Sequence, residues 1–298
     1  MKKIALGHTG LEVTPLGFGA MHLNDGRVTE DQAGHLLNAV LDAGVNLVDT
    51  ARGYGLSEER IGRHIAHRRG EYVLSTKVGY GIPGVEDWTY DCIVAGVEAA
   101  LGRMRTDVLD IVHFHSCPLH VLERGDVVRA LHDCQRRGKV RVVAYSGDGA
   151  ELRWAIDSGH FGSVQASVSV CDQANLVQHL GVAQEHGVGV IAKRPLAGAV
   201  WRHAQRPDDF AEGQYWDRFK AMGLDGGGPG AQGRDWAELA LRFAAFAPGV
   251  GSAIVGTKTP ANFLRNVAVV NQGPLEPEMR AALMQAFART QRDWASLI

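Results

Sequence analysis

The 298-residue chain has no C-x-x-C pair, no run of like charge and no internal repeat of solenoid type. Its four cysteines, Cys92, Cys117, Cys134 and Cys171, are scattered, as expected of reduced thiols in a cytoplasmic protein. No stretch approaches the ~20 apolar residues of a membrane helix, and the two lysines near the start precede no apolar leader segment. Acidic and basic residues nearly balance, 33 against 31. Without a basic patch, nucleic acid or an anionic membrane is not expected as the main partner.

Apolar content is ordinary, and this length can bury a sizeable core. Eight short runs read as strands: Gly17–Met21, Asn46–Ala51, Tyr72–Val78, Val108–His115, Val140–Ser146, Ser163–Val168, Val188–Arg194 and Ser252–Thr257. Amphipathic stretches separate them: Thr29–Ala43, Ser57–His67, Tyr90–Arg103, Val121–Arg137, Glu151–Ser158, Gln173–Glu185 and Trp236–Phe246. Thr29 with Gln32 forms a capping-box pattern, and Gly44, Gly138, Gly159 and Gly187 follow helical stretches as C-terminal caps. Alternation of this kind predicts parallel strands with crossover helices, and eight strands suffice to close a (β/α)8 TIM barrel. An open doubly wound sheet is the alternative. The expected organisation is one domain over residues 1–298, with an N-terminal β-hairpin at Ile4–Thr14 covering the barrel floor.

The connection from Gly198 to about Arg234, after the seventh strand, shows no clean helical period. It carries Trp201, Phe210, Tyr215, Trp216 and Phe219, then Gly226-Gly227-Gly228-Pro229-Gly230. A loop of this length is expected to act as a lid, with a packed aromatic part and a mobile tip.

Four groups lie at the ends of three successive strands: Asp49 and Tyr54, Lys77, and His115. In a barrel, adjacent strand ends deliver side chains to one mouth. A phenol with pKa ~10 is a poor acid until a cation favours its phenolate. Tyr54 is therefore expected to protonate a carbonyl oxygen, with Lys77 stabilising phenolate, Asp49 holding Lys77, and His115 orienting the substrate oxygen. Each residue alone has a bland structural reading; the ordered set carries the signal.

That set lies among further motifs: Leu6-Gly7-His8-Thr9-Gly10-Leu11, Gly44-Val45-Asn46-Leu47-Val48-Asp49-Thr50-Ala51, Ser57-Glu58-Glu59-Arg60-Ile61-Gly62, Arg136-Arg137-Gly138-Lys139-Val140-Arg141 and Ile254-Val255-Gly256-Thr257-Lys258-Thr259-Pro260. Together they resemble the aldo-keto reductase superfamily nearly end to end. The resemblance implies an α/β barrel, catalysis by Asp49, Tyr54, Lys77 and His115, and NADP- or NAD-linked reduction of a small-molecule aldehyde or ketone, or the reverse oxidation. No metal or flavin is implied. Cofactor contacts are implied at Ala20, Met21, Asp49, Ser146, Gln165, Arg194, Leu196, Gly198, Gly256, Thr257, Lys258, Asn262, Arg265 and Asn266. Ser146 and Gln165 match positions holding the nicotinamide carboxamide, and Arg194 a position that often stacks on the ring.

Two departures stand out. The family's usual Ser-Asn-Phe is Ser146-Gly147-Asp148 here, and a frequent Trp after the family's histidine is Ser116. Tyr80, Trp88 and Ser116 are candidate substrate contacts. Residue chemistry independently suggests a phosphate site late in the chain. Thr259 is a good N-cap and Pro260 a good first helical residue; Lys258 adds charge, and Asn262, Arg265 and Asn266 share a face. NADP is the expected cofactor and NAD possible.

Three other readings of these residues compete with this one. Gly79-Tyr80-Gly81-Ile82-Pro83-Gly84 fits G-x-G-x-x-G but leads into loop-like sequence rather than promptly into a helix. His113-x-His115-x-Cys117 could ligate metal on one strand face, as in a barrel hydrolase. A nucleotide-binding regulatory subunit that senses redox state is the third.

Overall fold

The computed structural model describes residues 1–24, 26–226, 235–290, 294, 296 and 297. Strands β1 (Ile4–Ala5) and β2 (Glu12–Val13) form an antiparallel hairpin. Then come β3 (Leu16–Gly19), β4 (Leu47–Asp49), β5 (Val73–Val78), β6 (Leu109–His115), β7 (Val140–Ser146), β8 (Ser163–Ser167), β9 (Gly189–Lys193) and β10 (Val250–Val255). These eight are parallel and close into a barrel in the order β10-β3-β4-β5-β6-β7-β8-β9. Each overlaps an expected strand run, with ends within two residues. The open-sheet alternative is excluded.

The surrounding helices are α1 (Glu30–Asp42), α2 (Ser57–His64), α3 (Tyr90–Met104), α4 (Leu119–Arg124), α5 (Asp126–Arg136) and α6 (Gly149–Asp157). They continue with α7 (Ala174–Gln178), α8 (Leu180–Glu185), α9 (Phe210–Ala221), α10 (Trp236–Ala245), α11 (Pro260–Val270) and α12 (Pro277–Thr290). Thr29 and Gln32 form the expected capping box. Gly44, Gly138, Gly159 and Gly187 all have positive φ, as terminal caps require.

Two-residue alternation builds the interior. Leu47, Val73, Ile111, Val142 and Ile191 form the floor with Leu6, Leu11 and Val13 of the hairpin. The hairpin thus seals the N-terminal end of the barrel. Along the same inward faces, two or four residues further up, stand Asp49, Ser75, Lys77, His113, His115, Ser146 and Lys193. The floor is apolar and the mouth polar on the same strands.

Four expectations are corrected. The first barrel strand ends at Gly19, and Ala20 and Met21 belong to a 3-10 turn, Ala20–Leu23. The stretch Val121–Arg137 is broken into α4 and α5 by Gly125, in the left-handed region at φ 77°. The stretch Gln173–Glu185 is broken at His179. The segment after β9 is not without helix: a 3-10 turn spans Ala197–Arg202, and α9 is capped by the Asp209 carboxylate, which accepts from the amides of Ala211 and Glu212. Its apolar side is aromatic rather than aliphatic, which blurs the sequence periodicity. Tyr215 and Phe219 are buried, and Phe219 meets Trp236 edge-on at 5.0 Å. Residues 227–234, which include most of the glycine run expected as a mobile tip, lie outside the described residues.

Candidate active site

The buried centre of the mouth is an ion pair. Lys77 Nζ donates to Asp49 Oδ2 at 2.6 Å and to the Thr50 carbonyl at 2.8 Å. Both side chains are almost wholly buried, 1% and 2% exposed. The other carboxylate oxygen, Asp49 Oδ1, accepts from Ser75 Oγ at 2.7 Å and Gln165 Nε2 at 3.0 Å. Burial alone would discharge Lys77; the Asp49 carboxylate and the Tyr54 side chain outweigh it, and its pKa is raised. Lys77 is thus a retained cation, 5.1 Å from the Tyr54 ring centroid.

Tyr54 sits in the turn between β4 and α2. Its amide donates to the Ala51 carbonyl at 3.0 Å, and its carbonyl accepts from Ser57 N at 2.9 Å. Neighbouring Gly55 has φ 47°, and a Cβ there would stand 2.1 Å from the Asn24 carbonyl oxygen. Only glycine lets the chain pass that close. The Tyr54 ring meets His115 edge-on at 5.7 Å. The four residues singled out in the sequence therefore converge.

His115 Nδ1 is 2.7 Å from Tyr80 Oη, and the two rings stack with centroids 5.5 Å apart. Burial keeps the Tyr80 phenol protonated by raising its pKa. Burial first and then Lys77 push the His115 pKa down to about 3. Beneath it His113, wholly buried, is pushed down to about 4, again mainly by burial, and its Nε2 lies 3.1 Å from Ser75 Oγ. Both imidazoles are neutral at neutral pH.

This has a consequence for stability. An unfolded imidazole titrates near pH 6.5, so at pH 4 to 6.5 the unfolded chain binds more protons than the folded one. The stability contributed by neutral His113 is present above pH 6.5 and is lost as pH falls toward 4. The expected slope is about 1.4 kcal/mol per pH unit. Urea denaturation of wild type and His113→Asn at pH 5 and pH 7 checks this. The variant should show a smaller difference between the two pH values, and an unchanged difference would contradict the assignment.

Cys117 does not join the two histidines. It is buried in the layer between barrel and helices, with Val121 and Leu122. Among the described residues no group of three His, Cys, Asp or Glu is placed to hold a metal ion. The Gly79–Gly84 segment is loop, and α3 begins only at Tyr90. Trp88 packs on Gly79, where a Cβ would stand 2.2 Å from its ring.

Ser146 Oγ donates to Gln165 Oε1 at 3.2 Å, so this pair joins the Asp49–Lys77 network through Gln165. Asp148 is engaged elsewhere. It accepts from Lys193 Nζ at 2.7 Å, Ser167 N at 2.7 Å, Ser167 Oγ at 3.0 Å and Asn175 Nδ2 at 2.6 Å. This second buried ion pair was missed in the sequence. The alternation of β9, with Ile191 in the floor cluster and Lys193 two positions on, was the available signal.

Arg194 is tied to the carboxyl-terminal residues beside that wall, sharing the Leu297 carbonyl with Ser167 Oγ. Its Nη1 donates to the Leu297 carbonyl at 2.7 Å, while the Leu297 amide donates to Asp172 at 3.1 Å. Deleting residues 294–298 should free this clasp and lower the thermal midpoint; a variant melting with the full chain would show that the tail adds nothing.

At the other side of the mouth, Met21 is 47% exposed. Thr259 caps α11, accepting from Asn262 N, with Pro260 in its first turn. Lys258, Asn262 and Arg265 are exposed, and Gly256 and Asn266 half-buried. Thr257 Oγ1 accepts from Thr259 N at 3.3 Å. Gly198 has φ 66° beside Leu196, and Ala197 N donates to the Arg194 carbonyl. Ser116, at φ 59°, donates its amide to the Ser146 carbonyl. Trp88, Ser116, Arg194, Ala197 and Ala199 are non-glycine residues with positive φ in the connections that follow β5, β6 and β9, whereas Arg105 caps the end of α3. Such strain concentrates at functional sites.

A model of the aldo/keto reductase family matches residues 15–287. The chain belongs to this family. Its members are nicotinamide-dependent oxidoreductases of carbonyl compounds. This reductase is 28% identical over 283 residues to L-galactose dehydrogenase of Arabidopsis thaliana, covering 90% of this chain and 88% of that protein. It is 27% identical over 312 residues to a "probable voltage-gated potassium channel subunit beta" of the same plant, covering 91% of each. Among solved structures, the holo form of an aldo-keto reductase from Bacillus halodurans superposes with TM-score 0.82, at 28% identity and 96% coverage of each chain.

Proposed function

We propose that this reductase interconverts a carbonyl compound and its alcohol with NADP or NAD, using Tyr54 as the proton donor. The observation that carries the proposal is the buried Lys77–Asp49 pair lying against the Tyr54 ring, with Lys77 held as a cation. Nothing in the packing of a barrel requires an ammonium there. It makes sense beneath a phenol that must give up a proton.

The residues present fit a dinucleotide. Ser146 and Gln165 offer polar groups on the inner wall, and exposed Lys258 stands just ahead of the Thr259-capped amino end of α11. These positions would hold the nicotinamide and phosphate ends, with Leu196, Gly198, Thr257, Lys258, Asn262, Arg265 and Asn266 along the path. When bound, the reduced nicotinamide supplies hydride to the carbonyl carbon. Tyr54 then transfers its phenolic proton to the carbonyl oxygen, Lys77 stabilises the phenolate, and Asp49 keeps Lys77 charged and fixed.

His115 donates rather than accepts. In the tautomer this role requires, the protonated Tyr80 hydroxyl donates a hydrogen bond to Nδ1, which leaves the proton of the neutral ring on Nε2. A neutral N–H donor orients the carbonyl oxygen without competing with Tyr54 as the acid. Ser116, Tyr80 and Trp88 line the space beside it. Sugars and their lactols are the first substrates to test, because L-galactose dehydrogenase is among the relatives.

The test is fluorescence titration with NADPH and NADH in parallel, followed by turnover assays with aldoses and short aldehydes. Saturable binding with turnover supports the proposal, and NADPH is expected to bind more tightly. Binding of neither nucleotide would overturn it. The channel-subunit relative favours a second reading, a nucleotide-binding regulator. Single-turnover hydride transfer with product release too slow for steady-state activity would select it.

A further inference from the structure

His22 is not among the residues the sequence reading selected, and it stands at the seam where the barrel closes. Strands β3 and β10 are neighbours there. The turn after β3 carries His22, and the connection after β10 carries Gly256, Thr257 and Lys258. The imidazole lies directly against Gly256: a Cβ at that position would stand 2.7 Å from His22 Cδ2 and 3.2 Å from Nε2. The same Cβ would stand 3.0 Å from the Gly19 carbonyl oxygen. Glycine is therefore required for the ring to take this place, and the two positions are matched across the seam.

The ring is half-buried. Burial, and then the charge of Lys258, both favour its neutral form. An imidazole and an ammonium are thus held on adjacent strand ends, beside the amino end of α11. The arrangement is unfavourable for a second positive charge until an anion arrives. A phosphate oxygen between them would reverse the balance, because an opposite charge favours the protonated ring and a charge-assisted hydrogen bond adds to it.

We propose that His22 contacts a phosphate of the dinucleotide together with Lys258, and takes up a proton as the nucleotide binds. This rests on the nicotinamide reading above and adds a residue and a pH dependence to it. The sign follows from linkage. The complex holds the proton more tightly than the free protein, so affinity is greatest below the ordinary histidine range. It declines as pH rises through the His22 pKa of the complex.

The experiment is titration with NADPH and NADH from pH 5.5 to 8.5, for wild type, His22→Gln and Lys258→Met. Calorimetry in two buffers of different ionisation enthalpy counts the protons taken up. Wild type should bind about threefold to tenfold more tightly at pH 6 than at pH 8, the worth of one charge-assisted contact. His22→Gln should bind like wild type at pH 8, lose the gain at pH 6, and take up no proton. Lys258→Met should weaken binding at every pH. A pH dependence seen with both nucleotides places the contact on the pyrophosphate, and one seen with NADPH alone places it on the 2′-phosphate. A His22→Gln variant with the wild-type pH profile and proton uptake would overturn the proposal while leaving the reductase reading intact. Failure of wild type to bind either nucleotide at any pH would overturn the reading on which it rests.

Discussion

Tyr54→Phe is expected to lower turnover by about 10²- to 10⁴-fold, the usual worth of a positioned general acid. The substitution removes one oxygen and keeps the ring. Its edge contact with His115 persists because it depends on the ring, and Lys77, though it loses the phenol oxygen, keeps its bonds to Asp49 and the Thr50 carbonyl. The turn around it is held by backbone bonds to Ala51 and Ser57 and by the passage of Gly55 beside Asn24, none of which involves the phenol. Nucleotide affinity and thermal stability should therefore be nearly unchanged. The split between intact binding and lost turnover is the signature. Turnover at the wild-type rate would remove Tyr54 from the mechanism, and equal loss of binding would point to a structural role instead.

Lys77→Met is expected to abolish detectable turnover and to cost about 3–5 kcal/mol of stability, the range for leaving one member of a buried pair unpartnered. Methionine fills a similar volume, so the loss is electrostatic rather than a cavity. The Asp49 carboxylate would keep its bonds from Ser75 and Gln165 on Oδ1 but lose the ammonium on Oδ2. The remedy follows from that asymmetry. Adding Asp49→Asn keeps a carbonyl oxygen for Ser75 and Gln165 and deletes the uncompensated charge. The double variant should regain much of the stability in urea denaturation and none of the activity. A double variant no more stable than Lys77→Met would mean the destabilisation has another source. Activity in either variant would contradict the role assigned to the ammonium.

Much of this molecule is legible in its sequence, and the reason is periodicity. Short β-branched runs separated by capped helices specify a parallel sheet, and eight of them a barrel. The pattern at Thr29 and Gln32, the glycines after helices, and Thr259-Pro260 at the start of α11 are local signals, and each is realised locally. Where a signal depends on non-local packing, the reading fails. The glycine at 125 turns one expected helix into two. Helix α9 hides because its buried residues are aromatics that answer to Trp236 and Trp201 rather than to an aliphatic stripe.

The candidate site divides in the same way. Asp49, Tyr54, Lys77 and His115 were visible because strand ends in a barrel all open on one face. The sequence by itself determined which strands end there and which residue types they bring. Only the tertiary structure decided the partners. Asp148 is committed to Lys193, Ser167 and Asn175; Arg194 turns to the carboxyl-terminal residues; His22 rests on Gly256 across the seam of the barrel. Those pairings join strands far apart in the chain, and no spacing rule reports them. They follow from closure, which brings the first barrel strand beside the last, and from burial, which obliges each charged group drawn into the mouth to find an opposite charge or a hydrogen-bonding partner within about 3 Å.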